Sequence, residues 1–500
     1  MTETPHVDAN PRALGRIIAK NTAFVMLGTA ALKAVNFLFG IYVVRRLGGD
    51  SYGQYSIVIA FVGLFQIFAE LGMSQYVMRE IARDRTRTRG LFWNLVALRL
   101  LLALAGIAGI TLAARVTGYT PALVLAVFLY TWTFVISAFD AALETVLTAN
   151  ERFDYVTTLA IVGQVSFMLL GSMVLFSGLG FIVLIGVGLL AMLPKLALAI
   201  WAVRRHRLVS WPPEIDAHQW RGMIKGGVPF GFSSLALTIS FSLDTVMLSK
   251  FQSAEVVGWY SVAYGLVLSL VYTLNSFSRA MVPSLARTYV GDKARVERWF
   301  FRSVKYIMIL SLPIAVGGTL VAFPLVRLLY TAEYLPAAVG LQVIIWDVPF
   351  LLLAAFFGNM TTVVGEERAA ARIFGLSAMA NVGLNLLFIP RLGMPGAAFV
   401  TVLTDLIASL QFFFLLRKRM HLPDMASVFL RALAAAAVMG GAVFLLGQRS
   451  LLVLVVAGLV VYACLVLALR LFDSTERDIL PRLLQRLRGM RWRPEPTSRG

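Results

Sequence analysis

The chain has 500 residues, of which 59% are hydrophobic and only 14% charged, with a mean hydropathy of +0.79. Soluble domains carry about a quarter of charged residues, so this composition excludes a soluble enzyme and requires a polytopic, all-α membrane protein. The single cysteine, Cys464, lies in an apolar segment, which excludes an internal disulfide or a thiolate metal cluster and predicts a small core residue.

Residues 1–21 form a basic segment, with Pro11 to Lys20 leading into an apolar run that lacks a small-residue cleavage site. An uncleaved signal anchor is expected there. Fourteen spans follow by hydropathy: 22–44, 55–78, 91–114, 121–146, 156–176, 181–203, 228–248, 257–282, 303–323, 338–361, 373–389, 396–416, 427–446 and 451–469. With the N-terminus inside, the cytoplasmic segments carry 32 Lys and Arg and the opposite loops carry 7. That asymmetry places both termini in the cytoplasm, and the cell inner (cytoplasmic) membrane is the expected location. It also accounts for the net charge of +19 without nucleic acid, because the basic residues are spread over loops such as 79–90 and 204–207, beside anionic head groups.

The turn that ends the first span returns 205 residues later: Arg45, Asp50, Gly53, Tyr55 and Ser56 become Lys250, Glu255, Gly258, Tyr260 and Ser261. Segment 204–227, with Trp211, Pro212 and Pro213, follows six spans and reads as a cytoplasmic linker. Six is even, so the second half enters the membrane with the same orientation, as a parallel repeat. The expected domains are an N-lobe at 22–203 and a C-lobe at 228–416. Two appended spans follow at 417–470, then a basic amphipathic helix and tail at 471–500 lying on the inner leaflet.

No GxxxxGK[ST] loop occurs and no paired-cysteine or HExxH motif exists, so neither direct ATP use nor metal catalysis is expected. No outer loop is long enough for a glycan-polymerising site, and the chain is not expected to be an enzyme. The chemistry lies in ionisable residues within the spans: Lys33, Glu70, Arg99, Asp140, Glu144, Lys195, Asp244, Arg279, Asp347 and Asp405. Each costs roughly 2.5 to 3.5 kcal/mol at mid-bilayer, so each calls for a partner or a watery cavity. Asp140 and Glu144 are four residues apart and share a helix face. Lys33 sits mid-span, and Lys195 follows the kink-forming Pro194.

The layout of six spans, six more and a final two is matched by an ordered set of segments. These are RRLGGDSYGQYS with its echo KFQSAEVVGWYSVAY, TANERFDY, RLLYTAEYLPAA and IPRLGMPGAA. Together, over about Pro11 to Arg419, they resemble the polysaccharide (oligosaccharide) flippases of the multidrug, oligosaccharidyl-lipid and polysaccharide exporter superfamily. The resemblance implies transfer of undecaprenyl-pyrophosphate-linked oligosaccharide to the outer leaflet, for O-antigen, exopolysaccharide or capsule, through a cavity with alternating openings. Its expected partners are the lipid-linked oligosaccharide, membrane lipids and a polysaccharide polymerase. A pyrophosphate crossing a low-dielectric core needs fixed cations, for which Lys33, Lys195 and Arg99 are placed; Asp140 would accept sugar hydroxyls. Asp244 and Asp347 are candidates for a coupling H⁺ or Na⁺, with no other cofactor expected. A lipid II flippase, a multidrug exporter and a non-transporting membrane scaffold are the alternatives.

Overall fold

The computed structural model describes residues 32–420, 425–447 and 449–472; the side chains at 67, 229–241, 275–284, 286–288 and 290 fall outside that description. So do most of the signal anchor, the expected amphipathic helix after 473, and the Arg279 side chain.

All secondary structure among the described residues is helical. The helices are α1 (32–47), α2 (Gly49–Glu70), α3 (Met73–Arg83), α4 (Thr88–Val116), α5 (Pro121–Thr131), α6 (Thr133–Ala149), α7 (Phe153–Phe176) and α8 (Gly180–Arg205). They continue with α9 (Ala217–Phe251), α10 (Ala254–Gly291), α11 (Lys293–Leu329), α12 (Ala337–Ile344), α13 (Asp347–Val363), α14 (Glu367–Arg417), α15 (Ala426–Leu445) and α16 (Leu451–Ala468). Helices satisfy every backbone group within the segment, which is why an apolar chain in lipid adopts them.

Nine helices among the described residues are long and apolar enough to cross a membrane, and eleven if each of two bent pairs counts as one span. The expected fourteen are not reached, for two reasons. Spans eleven and twelve are joined in α14 across Gly393 (φ +59°), flanked by Pro390 and Pro395, and spans one and seven run through residues outside the description. The expected second span is not one helix either. It breaks at Leu71 (φ +47°) and Gly72 (φ +69°), between α2 and α3. Span ten likewise bends by 45° between α12 and α13, just before Asp347.

The chain forms two compact units. The first holds Met1–Gly265, Arg327–Ala337 and Phe374–Val400 as far as these are described; the second holds Leu266–Val326, Ala338–Ile373 and Thr401–Gly500, likewise. In the first, α9 packs against α2, α3 and α4. A core of Met73, Val77, Leu95, Val146, Leu147, Ala199 and Met223 joins α3, α4, α6, α8 and α9.

The linker is strapped down. Asn94 of α4, fully buried, accepts from the Asp216 amide (2.9 Å) and Trp220 Nε1 (2.9 Å) and donates to the Glu214 carbonyl (3.1 Å). Trp93 donates to the Ser210 carbonyl (3.3 Å), and Arg89 to that of Pro212 (3.0 Å). In the second unit, α15 and α16 pack on α11, with the Tyr462 hydroxyl donating to the Ile309 carbonyl (2.7 Å). Cys464 is exposed rather than buried in the core, because α16 turns much of its apolar surface outward, where a bilayer would cover it.

Candidate functional site

Two polar clusters lie within the first unit. In the first, Lys195 of α8 places its ammonium 2.7 Å from Asp140 Oδ2 and 3.2 Å from Glu144 Oε2, both on α6. The four-residue spacing puts both carboxylates on the face that α8 covers. Gly163 of α7 makes room: a Cβ there would stand 3.2 Å from Lys195 Cδ. The other oxygen of Asp140, Oδ1, is buried with no hydrogen-bond partner. Arg99 of α4, 5% exposed, donates to Ser74 Oγ (2.7 Å) of α3, and the charges of Glu70 and Asp140 both act on it.

Five ionisable residues therefore converge from α2, α4, α6 and α8. Counting Arg99 and Lys195 against Glu70, Asp140 and Glu144 leaves one excess negative charge when all are ionised. Lys195, expected on the wall that meets the pyrophosphate, is paired with two carboxylates. The arrangement can exchange partners, since a sugar hydroxyl would satisfy Asp140 Oδ1 and a phosphate would compete for Lys195.

The second cluster surrounds Asp244 of α9, which is fully buried. Tyr260 of α10 donates to Asp244 Oδ2 (3.0 Å), and Asn385 of α14 donates to Oδ1 (2.6 Å) and to Asn381 Oδ1 (3.0 Å). Asn385 Oδ1 is buried without a partner. Both oxygens of the Asp244 carboxylate thus accept a hydrogen bond, one from a phenol and one from an amide.

Asp347 belongs to the second unit. It is fully buried in the first turn of α13, where the helix dipole favours negative charge. Its neighbour Trp346 donates to Thr319 Oγ1 (3.0 Å), a tether that fixes the indole. Lys33 is half-buried near the described start of α1, and Asp405 is half-buried in α14. Sequence reasoning passed over Ser74, Asn381, Asn385 and the buried Lys305 of α11. The amide pair was detectable, since Asn at positions four apart in an apolar helix marks a hydrogen-bonding face.

Residues 18–289, more than half the chain, match the family described as polysaccharide biosynthesis protein, and residues 229–387 match the MatE family. Among curated relatives, the "Probable flippase AglR" of Haloferax volcanii is 25% identical over 36% of this chain and 39% of its own length. The "Probable multidrug resistance protein YpnP" of Bacillus subtilis is 25% identical over 38% of this chain and 44% of its own. An uncharacterized membrane protein of Methanocaldococcus jannaschii is 26% identical over 32% of each chain. The alignments thus span less than half the length of these relatives. Among solved structures, the fold is similar to that of the "Lipid II flippase MurJ, inward closed conformation", with TM-score 0.74, 15% identity and coverage of 89% of this chain and 98% of that one. An inward-facing multidrug resistance MATE transporter gives TM-score 0.66 at 17% identity, covering 78% and 94%.

Proposed function

Because this chain belongs to the polysaccharide biosynthesis protein family, within the multidrug, oligosaccharidyl-lipid and polysaccharide exporter superfamily, we propose that it is a flippase for undecaprenyl-pyrophosphate-linked oligosaccharide. The observation that carries this reading is the family match over residues 18–289, which contains the whole Glu70–Arg99–Asp140–Glu144–Lys195 cluster. The glycan is destined for surface polysaccharide, and the protein works in the cytoplasmic membrane with both termini inside. It spans that membrane as two six-helix lobes with two appended helices, and it meets a polysaccharide polymerase at the outer face.

The mechanism follows from the charges. The pyrophosphate loses hydration on entering a low-dielectric core, and cationic side chains replace it. Lys33 and Arg99 offer charge along the path, and Lys195 contributes by leaving its carboxylates. Asp140, relieved of Lys195, takes sugar hydroxyls. Asp244, with Tyr260, Asn381 and Asn385, holds the coupling H⁺ or Na⁺, and Asp347 is the second candidate for that role.

Purified protein in vesicles, given fluorescent undecaprenyl-pyrophosphate oligosaccharide on one side, tests the reading. Oligosaccharide should reach the opposite leaflet, with lipid II and cationic drugs competing weakly. Preferential movement of lipid II, or of a drug, would replace it with the corresponding alternative. Lys33→Ala should insert and fold normally yet fail in this assay, and Lys33→Arg should keep part of the activity. Wild-type transport by Lys33→Ala, or its unfolding, moves the cationic site to Arg99 and Lys195.

A further inference from the structure

Where α6 gives way to α7, and where α8 ends, four side chains close a small network. His206, the residue after α8, places Nδ1 3.0 Å from Arg152 Nη1 and Nε2 3.0 Å from the Tyr155 hydroxyl. A guanidinium can only donate, so Nδ1 must be a bare acceptor, and the ring proton sits on Nε2 and is donated to Tyr155. Arg152 also lies 4.6 Å from the centre of the Tyr155 ring and grips Asp154 through Nε (3.2 Å) and Nη2 (3.1 Å). The Tyr155 and His206 rings meet edge to face at 5.3 Å.

The backbone on both sides of this network is held off its preferred course. Glu151 (φ +60°), just before Arg152, and Arg207 (φ +49°), just after His206, are left-handed without being glycine. Such a residue persists only where surrounding contacts fix it. Arg207 is the point at which the chain leaves α8 for the linker 204–227, and the next two residues, Leu208 and Val209, pack on the core that joins α3, α4, α6 and α8. The start of the linker is therefore fastened through His206. Farther along it is fastened by Asn94 and Trp93, whose side chains carry no titrating group.

We propose that His206 is a proton-operated latch: neutral, it ties the start of the linker to α7, and protonated, it releases it. The latch is independent of what the protein carries. Its sign follows from the atoms. A proton taken up at Nδ1 turns the acceptor into a donor, so N–H faces N–H and the 3.0 Å bond to Arg152 is lost. The surrounding charges act in the same sense. Arg152 from the α6–α7 turn, and the exposed Arg204, Arg205 and Arg207 along the same chain, all repel an imidazolium. Asp154 of α7 is already paired with Arg152, and Tyr155 of α7 faces the ring with a hydroxyl. The carbonyl end of α8 attracts an imidazolium and gives the released ring somewhere to turn. Histidine changes charge between about pH 5 and 8, so the latch answers to mild acid on the side that the charge asymmetry assigns to the cytoplasm.

The test uses the full-length protein in detergent, in a Cys464→Ser background. Val209→Cys, half-buried, is the reporter, and Ser210→Cys, exposed, is its reference. The ratio of their maleimide labelling rates cancels the pH dependence of the thiol itself. Going from about pH 7.5 to about pH 5.5 should raise that ratio about ten-fold, an ordinary size for coupling between two sites. His206→Gln accepts from Arg152 and donates to Tyr155 without titrating, and should keep the ratio low at both pH values. His206→Lys, charged at both, should keep it high. Asp154→Asn removes the negative charge nearest the pair, so release should need a more acidic pH, a displacement that a histidine used only for packing would not show. A ratio that ignores pH in the parent, that responds equally in His206→Gln, or that is as low in His206→Lys as in His206→Gln overturns the latch, and so does an unmoved midpoint in Asp154→Asn.

Discussion

Lys195 Nζ lies 2.7 Å from Asp140 Oδ2, across a contact between α8 and α6. The pair joins a lysine that remains one-fifth exposed to a carboxylate that is nearly buried, with Glu144 as a second acceptor at 3.2 Å. Such a lysine is shared between two carboxylates.

Breaking this pair from the carboxylate side strands Lys195 beside Glu144 alone. Loss of one partner of a fully buried pair costs roughly 3 to 5 kcal/mol, and the exposure here lowers that to about 2 kcal/mol for Asp140→Ala. Removing both charges together, as Asp140→Leu with Lys195→Met, should restore stability and abolish transport. Thermal unfolding in detergent with the vesicle assay reads both. A stable double variant that still transports would make the cluster purely structural.

At Asp244 the carboxylate and its amide analogue are nearly the same shape, so Asp244→Asn should fold, with Tyr260 and Asn385 still beside it. Transport should become independent of the coupling gradient. The measurement is initial rate against imposed ΔpH and ΔNa⁺. Gradient dependence that persists in Asp244→Asn, and is lost in Asp347→Asn, reassigns the ion to α13.

Asn94 holds the linker by three hydrogen bonds to residues 214, 216 and 220. Asn94→Ala leaves a buried amide and an indole N–H unsatisfied, at about 1 to 3 kcal/mol for each stranded group. The linker 204–227 should then be cut faster by protease added to the cytoplasmic face. An unchanged cutting rate would mean that Trp93 and Arg89 suffice to hold it.

Between α3 and the short 3-10 turn Arg85–Arg87, Asp84 accepts from the Thr86 hydroxyl (2.6 Å) and amide (3.0 Å). These bonds, first the hydroxyl and then the amide, hold its pKa below the usual carboxylate value. A lowered folded-state pKa stabilises the turn above the ordinary carboxylate pKa, and that contribution disappears as pH falls through the lowered value. Exchange of the Thr86 amide hydrogen, corrected for its intrinsic pH dependence, should accelerate over that acidic window. Thr86→Val should narrow the difference.

Much was legible before any fold was known. Hydropathy sets helix and lipid through segment length alone, so the all-α membrane class followed from the sequence. Local spacing also sufficed where a single helix face decides the outcome, as for Asp140 and Glu144. The 205-residue echo picked out two turns that share a glycine, a tyrosine and a serine, Gly53, Tyr55 and Ser56 with Gly258, Tyr260 and Ser261. What sequence spacing does not carry is which face of one helix meets which face of another. Sequence therefore named Lys195 as a mid-membrane cation, and only tertiary packing decided that α6 neutralises it. It named Asp244, while Asn385, 141 residues away, became its partner only when α14 packed on α9. It gave Gly53 and Gly258 as equivalents, but their contact depends on two backbones approaching as closely as the absence of a Cβ on either side permits.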